Sequence, residues 1–145
     1  MKTVLIVDEE KRMIEAILNN VYPENIPFEY ETVTSIDSAI EEMKRREFRL
    51  VLTDEFCAAP KAGDNVDDLL FSGEVLRLLE FCTDNCPRAR VCIVSLVTIT
   101  RDEDELYRSY PCVVEVVGER YTTSKERRLR RAIDRALAGV VAERP

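Results

Sequence analysis

Histidine and tryptophan are absent from these 145 residues, glycine occurs only four times, and 21 basic residues face 28 acidic ones. Without histidine, the run Cys82-x3-Cys86 followed by Cys92 makes a poor zinc site, because its spacing matches no common ligand pattern. The cysteines (Cys57, Cys82, Cys86, Cys92 and Cys112) number five, an odd count that suits a complete internal disulfide set badly. Reduced, mostly buried thiols are expected instead, since Cys92 and Cys112 fall in apolar runs where cysteine packs as a small hydrophobe. No phosphate loop of the G-x-x-x-x-G-K type is present. The shortage of positive charge, a net of −7, weighs against a nucleic-acid-binding surface, and the aromatic residues are not interleaved for base stacking. No apolar run approaches the ~20 residues that cross a bilayer. No secretory pattern precedes the first apolar run either, so the expected location is cytoplasmic, away from membranes.

What the chain does contain is regular alternation. The length suits one domain over residues 1–145, able to bury a core without metal or disulfide staples. Val4-Leu5-Ile6-Val7 reads as a buried strand. Residues 9–20 place Met13, Ile14, Ile17 and Leu18 on one helical face, and Pro23 and Pro27 then break the chain. Phe28 to Thr34 alternates like a half-buried edge strand. A helix with Ile36, Ala39, Ile40 and Met43 on one face follows, capped by either Ser35 or Asp37. Residues 49–54 form a second buried strand ending in an acid. Beyond a long loop, Ser72 is placed to cap a helix from Gly73 to Phe81. Val91 to Ser95 is the fourth strand, and a short helix spans about Asp102 to Ser109. The fifth strand runs from Cys112 to Val117, and a last helix starts near Thr123, where Thr123 and Glu126 have capping-box spacing. Five strands alternating with five helices imply right-handed crossovers and a doubly wound α/β domain with a parallel sheet. The continuous apolar runs of strands one, three, four and five fit burial on both faces.

Ligands of open parallel sheets bind beyond the carboxyl ends of the strands. Here those ends carry Asp8, Glu9 and Glu10 after strand one, Asp54 and Glu55 after strand three, and Ser95 after strand four. Converging carboxylates with one hydroxyl make an oxygen-rich site suited to a hard cation such as magnesium. Solvated acids with no metal role are the plainer alternative.

With Asp8 and Glu9 in VLIVDEE, Asp54 in LVLTDEF and Ser95 in CIVSL, the chain resembles a response-regulator receiver domain of two-component signalling, CheY-like in fold, over nearly its whole length. The resemblance implies a five-stranded (βα)5 flavodoxin-like fold and a signalling phospho-acceptor that is no enzyme in the ordinary sense. It implies magnesium held by Asp8, Glu9, Asp54 and the backbone carbonyl of Phe56, with Asp54 accepting the phosphoryl group. It also implies Ser95 as the switch hydroxyl, a histidine kinase or phosphotransfer protein as donor, and a downstream protein partner.

The chain departs from that family where strand five should end in lysine. It reads Val116-Val117-Gly118-Glu119-Arg120-Tyr121, so Arg120 is the nearest replacement, Glu119 an alternative, and Lys125 a weaker substitute within the helix. Arginine's planar fork has a different reach from a lysine point charge. A second departure is an insertion at about residues 57–70, read as a plain surface loop or as a lid over Asp54. Leu96 is a third, bulky where the family has a small residue. The cations of the last helix (Lys125, Arg127, Arg128, Arg130, Arg131, Arg135) read as a solvated face, or as a contact for an acidic partner or a homodimer. No output domain is expected to follow. The alternative function is a pseudo-receiver, an interaction or dimerisation module without phosphotransfer. A magnesium-dependent hydrolase is disfavoured by the missing phosphate loop and histidine.

Overall fold

The computed structural model describes residues 3–9, 12–55, 74–95, 99–118 and 123–142. Five strands, β1 (Val4–Val7), β2 (Tyr30–Val33), β3 (Leu50–Thr53), β4 (Arg90–Val94) and β5 (Val113–Val117), alternate with helices α1 (Met13–Val21), α2 (Ile36–Arg45), α3 (Glu74–Asn85), α4 (Arg101–Arg108) and α5 (Thr123–Ala142). All pairings are parallel, in the order β2-β1-β3-β4-β5. The strand order therefore reverses between β1 and β3, where a doubly wound sheet opens its ligand crevice.

Strand pleating sorts the core onto two faces. Val4, Ile6, Leu50, Leu52, Cys92 and Val94 pack under α1 and α5, against Ile14, Leu18, Leu129 and Ile133. Leu5, Val7, Val51, Val91 and Ile93 pack on the other face, with α2, α3 and Tyr107 of α4. β1 and β3 are buried along their whole length, as their uninterrupted apolar runs require. β5 differs from the expectation. It is the second edge of the sheet, and Val114 is 36% exposed. A valine-rich run alone does not distinguish an edge from a centre.

The helix ends show how local chemistry sets the boundaries. Ser35 accepts a hydrogen bond from the Ser38 backbone N–H at 3.0 Å, so Ser35, not Asp37, caps α2. Thr100 and Glu103 form a reciprocal capping box at α4, a pairing that satisfies two orphan N–H groups. The Thr123 box lies outside the described side chains. α1 begins at Met13 rather than at Glu9. Arg12 stands in the left-handed region at φ 73°, which a non-glycine residue adopts only when its surroundings hold it there.

Glu115 ties β5 to both of its neighbouring helices. Its Oε1 accepts from Arg108 of α4 at 2.9 Å and from Arg128 of α5 at 2.7 Å. Burial opposes the charged carboxylate, yet the hydrogen bonds from Arg128 and Arg108 outweigh it and hold the group below the ordinary value of 4.5. A carboxyl depressed by folding contributes stability above its unfolded pKa and loses it as pH falls through the folded one. In urea titrations from neutral pH to below 4.5, the wild type is expected to lose stability on acidification more steeply than Glu115→Gln. Equal slopes would remove Glu115 from the acid sensitivity.

Candidate functional site

The registers bring two carboxylates together. Val7 of β1 is paired with Thr53 of β3, so the next residues, Asp8 and Asp54, leave adjacent strands side by side. The Asp54 N–H donates to the Val7 carbonyl at 2.9 Å, and the Asp8 N–H to Val33 at 3.0 Å. Both acids thus stand at the β1/β3 reversal. Asp8 is fully buried, and its Oδ2 accepts from the Ile14 N–H at 2.9 Å. It fills the amino end of α1, where the helix dipole favours an anion. That bond also explains the late start of α1: a strand-end carboxylate, not an N-cap side chain, satisfies the first turn. Asp54 is half-buried, with Oδ1 accepting from the Glu55 N–H at 2.7 Å. Glu9, immediately after Asp8, is exposed.

Ser95 closes β4 on the neighbouring strand. Its N–H donates to Val117 at 2.8 Å, and the residue is only 2% exposed. Its hydroxyl donates to Oε1 of Glu55 at 3.4 Å, while Oε2 of the same carboxylate accepts from the Tyr107 hydroxyl at 2.6 Å. Glu55 is 2% and Tyr107 0% exposed. A buried carboxylate therefore joins the end of β3, the end of β4 and the inner face of α4. Sequence reading missed this bridge by grouping Glu55 with Asp54 as a strand-end acid. The available signal was pleat alternation: a residue one past Asp54 faces the opposite side, where α4 packs.

Lys125 of α5 donates to the Gly118 carbonyl at 2.6 Å. Its ammonium consequently reaches the carboxyl end of β5, although its Cα lies in the helix. Phe56, Arg120, Glu119, Leu96 and the 57–70 insertion lie outside the described residues. Among the described residues, no group of three or more carboxylates and thiols is gathered to hold a metal ion. Two carboxylates on adjoining strand ends are nonetheless an adequate donor set for magnesium, which commonly takes one or two carboxylates and keeps several waters.

No family model matches this sequence, and no curated protein matches it. Solved structures do match in fold. A CheY-like response regulator receiver domain protein from Methanospirillum hungatei JF-1 superposes with a TM-score of 0.68 at 17% identity, over 99% of both chains. A response regulator receiver domain protein from Clostridium thermocellum gives 0.64 at 16% identity, over 98% of each. The beryllofluoride-activated NtrC4 receiver domain dimer gives 0.66 at 18% identity, covering 94% of this chain and 99% of that one. The chain has the receiver-domain fold.

Tyr107→Phe removes a donor from a buried carboxylate, which costs about 2 kcal/mol by the usual scale for charged hydrogen bonds. Urea unfolding is expected to show that loss in the wild-type background and a smaller one with Glu55→Gln, whose neutral amide tolerates a missing donor better. Equal losses in both backgrounds would mean that Tyr107 acts by packing alone.

Proposed function

We propose that this chain is a phospho-accepting receiver of two-component signalling, with Asp54 as the acceptor. The observation that carries this reading is the placement of Asp8 and Asp54 side by side at the β1/β3 reversal, with the Ser95 hydroxyl one strand away. These are the positions at which an open parallel sheet meets a ligand. In the proposed step a carboxylate oxygen of Asp54 forms a bond to phosphorus. The donor's leaving oxygen departs with its electron pair, and the product is an acyl phosphate on Asp54.

A carboxylate attacks phosphorus poorly unless the charge on the transferring group is neutralised. Magnesium held by Asp8 and Asp54, with Glu9 and the Phe56 carbonyl as the further donors expected from the family, would supply that neutralisation. The residues of the chain do the positioning. The Glu55 N–H fixes one Asp54 oxygen, and Asp8, anchored on α1, keeps the second carboxylate in place. Lys125 and Arg120 are the two candidates for the cation that faces the product phosphoryl group. The Lys125 contact with Gly118 favours Lys125. Ser95 would respond to the phosphoryl group by exchanging its bond to Glu55 for one to a phosphoryl oxygen. Such a local charge event acting on a two-state element is how switching proteins work. The donor would be a histidine kinase or phosphotransfer protein in the cytoplasm, and the output a change in protein-partner affinity.

A second reading, an interaction module without phosphotransfer, is favoured by one observation. The hydroxyl of Ser95 is already engaged by Glu55, an arrangement that also suits a permanently fixed surface.

Intact-mass measurement after incubation with magnesium and a small acyl-phosphate donor separates the two. One phosphoryl adduct is expected on the wild type, and none on Asp54→Ala or without magnesium. Lys125→Met is expected to slow adduct formation more than Arg120→Ala does. A wild type that acquires no adduct and binds no magnesium by titration would overturn the receiver reading and leave the interaction module.

A further inference from the structure

β3 is aliphatic except at its last residue, Thr53. Thr53 is fully buried, so its hydroxyl needs a partner, because an unpaired buried polar group costs free energy. Valine would occupy such a place in a sheet without that demand. The Thr53 hydroxyl donates to the Asp54 carbonyl at 2.8 Å. β3 ends at Thr53, so that carbonyl is the first one beyond the strand.

The bond falls on a particular peptide unit. The Asp54 carbonyl and the Glu55 N–H belong to one planar trans amide and point in opposite directions across it. Its N–H end donates to Asp54 Oδ1 at 2.7 Å, and its carbonyl end is held by Thr53. Rotating that plane would break both bonds together. The flanking groups are pinned as well. On one side the Asp54 N–H donates to the Val7 carbonyl at 2.9 Å. On the other, the Glu55 carboxylate accepts from Ser95 at 3.4 Å and from Tyr107 at 2.6 Å. Threonine suits the anchoring role because a β-branched side chain is stiff at χ1. The carboxylate needs such an anchor, since its terminal torsion is broad and has no steep well of its own. Fixing Oδ1 sets the carboxylate plane, and with it the direction in which Oδ2 points.

We propose that Thr53 is a positioning residue for phosphoryl transfer, acting through the Asp54–Glu55 peptide to hold the Asp54 carboxylate in its attacking orientation. The inference rests on the reading of Asp54 as the acceptor. By pleat parity Thr53 continues the row of Val51, on the face of the sheet opposite to Asp54, so it touches neither the donor nor the transferred group. Its effect falls on the rate at which a bound donor meets the carboxylate, and not on donor binding.

The test compares Thr53→Val, which removes the hydroxyl and keeps the branch, with Thr53→Ser, which keeps the hydroxyl. Adduct formation is followed by intact mass in magnesium over a range of acetyl phosphate concentrations. Misplacement of a reacting group by 1 Å can cost ~100-fold, so loss of one anchor among several is expected to lower the maximal rate of Thr53→Val about tenfold. The half-saturating donor concentration should stay unchanged, and Thr53→Ser should recover most of the rate. Urea midpoints check that the variants fold, and Thr53→Ala supplies a second hydroxyl-free chain where valine disturbs the sheet. Amide hydrogen exchange by NMR, without donor or magnesium, reads the anchor directly. The Glu55 N–H should exchange faster in Thr53→Val than in the wild type, and Thr53→Ser should restore its protection. An unchanged adduct rate in Thr53→Val, an equal loss in Thr53→Ser, or unchanged Glu55 exchange would overturn the role of Thr53. A wild type without adduct, whose Glu55 exchange still depends on the hydroxyl, would instead remove the acceptor reading and leave Thr53 as the anchor of the Asp54 carboxylate.

Discussion

Two carboxylates at the ends of adjacent parallel strands repel each other, and the surroundings of Asp8 and Asp54 are organised around that constraint. At a separation of several ångströms and an effective dielectric near 20, two like charges cost a few kcal/mol. The protein answers with peptide dipoles. Ile14 N–H is aimed at Asp8 and Glu55 N–H at Asp54, and charge-assisted bonds of this kind are roughly twice as strong as neutral ones. The late start of α1 and the left-handed Arg12 follow from letting a strand-end acid complete the first turn of the helix. Strain of about 1–3 kcal/mol at such a residue is offset by a bond that also fixes the acid.

Pleat parity divides the chemistry between the faces. In β1, Val4 and Ile6 belong to the α1/α5 side, and in β3 so do Leu50 and Leu52; Asp8 and Asp54 continue those rows. Val51 of β3 and Val91 and Ile93 of β4 belong to the side of α2, α3 and α4; Glu55 and Ser95 continue those. Asp54 and Asp8 therefore sit on one side of the sheet, and the Ser95 hydroxyl and its bridging carboxylate on the other. Tyr107 completes the second set because α4 packs there. This is why a single bridge, Glu55, can connect the ends of β3 and β4 to a helix surface.

Much of this was legible in the sequence. The buried runs of β1 and β3, the acids that end them and the hydroxyl that ends β4 are local signals, and each landed on the expected strand. The rest depends on neighbours that no local pattern records. β5 reads like a central strand because valine is valine at an edge or a centre, and only the strand order places it outermost. Glu55 reads as one more strand-end acid beside Asp54 because its partners, Ser95 and Tyr107, are 40 and 52 residues away in sequence. Lys125 reads as a helix-surface charge, yet a long flexible stem lets its ammonium reach back to Gly118. The thiols were read as reduced and mostly buried, and Cys82, Cys92 and Cys112 are free and buried.

The bridge also sets a condition on the proposed switch. If Ser95 is to turn toward a phosphoryl group on Asp54, its hydroxyl must leave Glu55 Oε1. The 2.6 Å bond from Tyr107 is shorter than the 3.4 Å bond from Ser95 and holds the other oxygen in place while the first is released. The exchange trades one hydrogen bond to a carboxylate for one to a phosphoryl oxygen, so it is close to balanced. Balance is what a switch needs: a deep minimum on either side would lock the hydroxyl. Because Tyr107 belongs to α4, Glu55 couples the ends of β3 and β4 to that helix, whose Arg108 grips Glu115 of β5.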